Sequence, residues 1–209
     1  MQISWHGGFT IKIAAKEATI VINPYEPNQS GTAFRAKADI VALTHPDNKE
    51  MSNVKGITDA SVIINTPGEY SLRGTTLDAL GWHDQDGSEQ LLLRWEIEGM
   101  NCVYLGALNR AVTDKELSRL SQVNTDILIL PVGGGSALNT KEALKTVSEF
   151  EPRMVIPINY KVPKWKEKLE AVDQFKKELG VKDTKPEKKV IVRANKLPQD
   201  DMQTVILEP

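Results

Sequence analysis

The chain has 209 residues, 40% of them hydrophobic, which is enough for one substantial core and favours a single domain over residues 1–209. Charged residues make up 26% and the formal net charge is -2, so the long-range field argues against nucleic acid as a partner. The one cysteine, Cys102, cannot pair within the chain and sits in the apolar stretch "NCVYLG", which fits a small buried hydrophobe in a reducing cytoplasm. Neither a leader pattern nor a run of about 20 apolar residues is present, so no membrane association is expected.

Short β-branched runs with turn residues between them then follow along the chain: "FTIKI", "ATIVIN", "DIVALT", "SVIIN", "LLLRWEI", "CVYLG", "DILILPV", "MVIPIN", "KVIVRA" and "TVILEP". Several are apolar almost throughout, the pattern of strands covered on both faces. Three helices are predicted from their start signals. Thr113 with Glu116, and Asn139 with Glu142, have capping-box spacing, and the second helix ends before Pro152. A third is predicted from Pro163 to Gly180, with Trp165, Leu169, Val172, Phe175 and Leu179 on one buried face. Strands dominate the first half and helices the second, which predicts an α+β layered fold. The ten lysines between Lys161 and Lys189 are interleaved with six acids, which reads as a solvated face.

Loops at strand ends are where a rigid scaffold can present chemistry. All three histidines, His6, His45 and His83, lie in such loops: "WHGG", "THPDNKE" and "WHDQDG". Imidazole and carboxylate together suit zinc, so His45, Asp47 and His83 are candidate ligands for one ion. Asp47, Glu50 and Asp84 are candidates for a catalytic carboxylate, and Asp86 could add an oxygen donor. "PVGGGS" lacks the ending of a P-loop and is expected to form a tight turn, and neither Ser136 nor Ser71 has the context of a serine nucleophile.

Taken together, "ISWHGGFTIKI", "IVINPY", "ADIVALTH", "TPGEYSLRG", "WHDQDG", "VYLGAL", "TDILILPVGGG", "EALKTVSEFEPRMVIPINYK" and "TVILE" resemble, in order and spacing, the metallo-β-lactamase superfamily, in particular its small lactonase-like hydrolases. The resemblance implies an αββα four-layer sandwich with metal at one edge of two central sheets. It also implies where ligands should stand. The family's His-x-His-x-Asp-His loop falls on His45, Asp47, Lys49 and Glu50, so only its first histidine is present. The family's bridging aspartate falls on Ala107, after Gly106, and its terminal histidine on Asn159; Gly8 stands where many relatives carry His or Gln, with His6 two residues earlier. An ammonium at Lys49, if it faced a dication at roughly 4 Å and an effective dielectric near 20, would repel it by about 8 kcal/mol. The expectation is a degenerate dinuclear site. Such a protein is a non-catalytic or binding member with no cofactor, its partner a small molecule or another protein. The alternative is a hydrolase with one zinc ion, acting on a lactone, amide or phosphodiester.

Overall fold

The computed structural model describes residues 1–83, 87–181 and 184–209. In chain order the strands of the first half are β1 (Gln2–Trp5), β2 (Ile11–Ala14), β3 (Thr19–Ile22), β4 (Ala36–Lys37), β5 (Ile40–Ala42), β6 (Ile57–Thr58) and β7 (Val62–Ile64). There follow β8 (Gly68–Leu72), β9 (Thr75–His83), β10 (Glu89–Ile97), β11 (Met100–Tyr104), α1 (Asp114–Leu120) and β12 (Ile127–Pro131). The remainder is α2 (Thr140–Phe150), β13 (Met154–Ile158), α3 (Val172–Glu178), β14 (Val190–Ile191) and β15 (Gln203–Thr204).

Two sheets carry the molecule. One runs β14-β1-β2-β3-β5-β7 and the other β15-β13-β12-β11-β10-β9-β8, with β4 and β6 as a separate two-stranded ribbon. Each changes from an antiparallel meander to parallel strands: β3, β5 and β7 in the first sheet, and β11, β12, β13 and β15 in the second. Alternation sorts the side chains of the first sheet. Ile20, Ile22, Ile40 and Ala42 enter the large core shared with Leu93, Trp95 and Tyr104, whereas Val21 and Val41 join a smaller cluster with Phe34, Ala38 and Leu43 on the other side. The fold is the expected α+β sandwich. Its layer over that smaller cluster is built from 3₁₀ turns and the β4–β6 ribbon rather than from long helices.

Both capping boxes form. The Thr113 and Asn139 side chains each accept from the backbone N–H three residues on, and Glu116 and Glu142 reach back to the cap N–H. Buried Ala143, Val147 and Phe150 recur along α2 at helical spacing, and the helix stops where Glu151 turns left-handed ahead of Pro152.

The third helix is shorter than predicted. It spans only Val172–Glu178, although Phe175 is fully buried and Gly180 ends it as expected. The missing turns are unwound by tertiary bonds: Lys166 N–H donates to Gln29 O (3.0 Å), Glu170 N–H to Gly133 O (2.9 Å), and Lys161 N–H to Glu170 O (2.8 Å). The Lys166 and Glu170 N–H groups are spent on other segments, and Lys164 has a φ of 66°. Trp165 turns away from the helical face and lies against Gly7 and Gly8. Cβ atoms built on those glycines would sit 2.7 and 2.3 Å from its ring, at φ values of 98° and 50° that already favour glycine.

Candidate functional site

The loops that follow β5, β11 and β12 converge on one cleft of about 340 Å³ lined by His45, Asp47, Asn48, Met51, Ser88, Glu89, Gln90, Ala107 and Ser136. Loops at the carboxyl ends of parallel strands are where α/β sheets build sites, because the strands end there in register while the chain must turn. A smaller compartment of about 70 Å³ adjoins it, sharing Asn48, Met51 and Ser136 and adding Thr10, Asn23, Glu50, Trp165 and Glu167.

His45 is held by a buried hydrogen-bond chain. Asn23 Nδ2 donates to Thr44 Oγ1 (2.7 Å) and to the Tyr104 hydroxyl (3.1 Å), while Asn23 Oδ1 accepts from Thr44 N–H (2.8 Å). The Tyr104 hydroxyl donates onward to Phe9 O (2.6 Å), and Thr44 Oγ1 lies 2.8 Å from His45 Nδ1. Burial pushes the Tyr104 pKa up, so its proton stays in place as a donor. The backbone adds a bond between the sheets, Leu91 N–H to Thr44 O at 2.8 Å. One imidazole nitrogen is therefore tied to the scaffold, which sets the ring at the cleft wall.

Asp47 is exposed at the rim of the same cleft. The next residues fold into a tight turn: Asn48 N–H donates to His45 O, Met51 N–H to Asn48 O, and Glu50 N–H to Asn48 Oδ1, each at 3.0 Å. That turn presents Asn48 and Met51 to the cleft and leaves Lys49 exposed and outside the residues that line it. Glu50 faces the smaller compartment. His83, by contrast, borders a third depression with Trp82, Arg110, Glu116 and Arg119. The proposed trio His45, Asp47 and His83 is thus divided, although His83 pairs across the strands with Glu89, which lines the His45 cleft. Asp84 and Asp86 lie outside the described residues.

Ala107 lines the cleft without a donor, and Asn159 is fully buried with both side-chain polar atoms unpartnered. Among the described residues no three His, Cys, Asp or Glu side chains gather into a group that could hold a metal ion. Among the described residues the donor set therefore does not fit a dinuclear centre. His6 is placed apart from the cleft, with Nε2 3.0 Å from Ser4 Oγ and its ring 5.0 Å from that of Phe34. Burial, followed by the charge of Lys12, lowers its pKa to about 4. Cys102 is fully buried, and burial pushes its thiol pKa up. Ser88, Glu89 and Gln90 were not foreseen as site residues. The signal was their place at the start of a strand directly after a polar loop.

The family model of the β-lactamase superfamily domain matches residues 2–159. The chain belongs to the metallo-β-lactamase superfamily. It is 26% identical over 183 residues to a UPF0173 protein of Pyrococcus abyssi, covering 77% of this chain and 83% of that one. It is 27% identical over 156 residues to a UPF0173 metal-dependent hydrolase of Thermococcus onnurineus, covering 72% and 67%. Among solved structures, a metallo-β-lactamase superfamily protein of Thermotoga maritima superposes with a TM-score of 0.78 at 23% identity, over 99% of this chain and 97% of the other. A metallo hydrolase from Ignicoccus hospitalis superposes at 0.68 with 14% identity, over 100% and 95%. No helix among the described residues is long and apolar enough to cross a membrane.

Proposed function

We propose that this superfamily member binds a small polar ligand in the His45 cleft without a dinuclear metal centre. The observation that carries the reading is the composition of that cleft. Hydrogen-bonding groups remain (His45, Asn48, Ser88, Gln90 and Ser136), while Ala107 stands where the family places its bridging carboxylate. Among the described residues the lining holds two carboxylates, Asp47 and Glu89, and no lysine or arginine. Such a wall favours a neutral or cationic ligand, a polyol or an amine, over a phosphorylated one, because an anion would meet like charge with no cation to offset it. Residues 1–209 act as one unit in this reading, since a single buried cluster runs from Met1 to Leu207. The lone buried thiol fits a reducing cytoplasm.

A second reading is a hydrolase with one zinc ion. It is favoured by relatives that are metal-dependent hydrolases, with His45 and Glu89 both lining the cleft as the side chains to test. Elemental mass spectrometry separates the two. Protein purified without chelator and dialysed against a slight excess of zinc should hold close to none in the first reading. A ratio of about one ion per chain, lost in both His45→Ala and Glu89→Ala, would establish the second.

A further inference from the structure

We propose that residues 161–170 form a lid on the ligand cleft, latched by Trp165 at one point and Glu167 at another. The segment leaves β13 and returns to α3 without regular structure. Its ends are joined by the bond from Lys161 N–H to Glu170 O, and the bond from Glu170 N–H to Gly133 O fixes that junction to the loop after β12. A segment whose ends are pinned together can swing as a unit, because the change in backbone torsion is confined to the junction.

Leu169 is buried and Val162 packs against the core beside that junction, and residues 163–168 between them are held by few contacts. Trp165 fills the seat made by Gly7 and Gly8 and meets the Tyr25 ring edge-on, with centroids 5.3 Å apart. Glu167 Oε1 accepts from both the N–H and the hydroxyl of Ser136, at 3.1 and 3.2 Å. Lys166 N–H to Gln29 O is the remaining tether. Lys161, Lys164, Lys166 and Lys168 are all exposed and add no apolar burial. Across residues 163–168, few buried contacts and solvent-facing bonds are the marks of a stretch that opens below the cost of global unfolding.

The latch bears directly on the site. Ser136 lines both the His45 cleft and the smaller compartment, and Trp165 and Glu167 wall the latter. Release of the lid removes that wall, joins the two spaces and uncovers the buried Thr10 and Asn23. It also frees the Ser136 N–H and hydroxyl as donors for a ligand. This consequence rests on the cleft being the ligand site; the latch itself does not.

The test therefore uses the protein alone, without ligand. Limited trypsin digestion is followed by mass spectrometry at Lys161, Lys164, Lys166 and Lys168, with amide hydrogen exchange read at Ser136 and Lys166. Glu167→Gln and Trp165→Phe, each of which keeps most of the side-chain volume, should speed lid cleavage by about five- to tenfold and raise both amide exchange rates together. Cleavage sites in β12 and β13 should stay protected. Equal lid cleavage in all three proteins would overturn the proposal. So would exchange at Lys166 that occurs only at the rate of global unfolding. Because no ligand enters the assay, failure of the ligand-binding reading would leave this result standing.

Discussion

Protonation of His6 should make this protein acid-sensitive in a predictable window. The ring is largely buried beside Phe34, and with the charge of Lys12 nearby its pKa falls from the usual 6.5 to about 4. The folded pKa lies below the unfolded one, so the unfolded chain binds the extra proton. The stability His6 contributes is present in full above about pH 6.5 and is lost as pH falls through that value towards 4. Integrating the linkage relation between pH 7 and pH 5 gives a loss of about 2 kcal/mol from this residue. Urea denaturation at pH 7, 6 and 5 would measure it in the wild type and in His6→Phe, which keeps a ring against Phe34 and cannot titrate. The other ionisable groups contribute equally to both proteins, so the difference between the two pH profiles isolates His6. Parallel profiles would refute the reasoning, since they would mean that His6 gains its proton without cost in the folded state.

Other perturbations have separate readouts. Asn23→Ala removes the partner of Thr44 N–H, Thr44 Oγ1 and Tyr104, and should cost about 2–3 kcal/mol in urea melts while loosening the His45 ring, visible as a shifted imidazole resonance. Phe175→Ala empties a fully buried site under α3 and should cost about 3–5 kcal/mol, read as a lowered thermal midpoint. Asn139→Ala breaks the capping box of α2 and should cost about 1 kcal/mol. Cys102 should resist a thiol reagent in native buffer and react only on unfolding, because it is fully buried and its thiolate is disfavoured by burial.

Much of this architecture is legible in the residues themselves. "DIVALT", "DILILPV" and "MVIPIN" are apolar throughout, and they became β5, β12 and β13, covered on both sides. Thr113 with Glu116 and Asn139 with Glu142 announced two helix starts, because capping is a bond between neighbours and needs no distant partner. The long β9 was harder to see. "TTLDALGWH" mixes polar residues and glycine with its apolar ones, and only its pairing on both sides with β8 and β10 makes it a strand. The third helix failed in the opposite direction: its apolar spacing was sound, yet bonds to Gln29 and Gly133 drew residues 163–171 away from it.

The candidate site divides along the same line. By itself the sequence determined which side chains stand at strand ends, His45 and Asp47 among them, because identity and order are local properties. Only the tertiary structure decided that Lys49 faces outward, that His83 borders a different depression from His45, and that Glu89, Gln90 and Ser136 complete the cleft. Those outcomes follow from a four-residue turn at Asn48 and from the approach of loops far apart in the chain. Neither is written in the spacing of any one segment, since the direction of a side chain depends on what packs behind it.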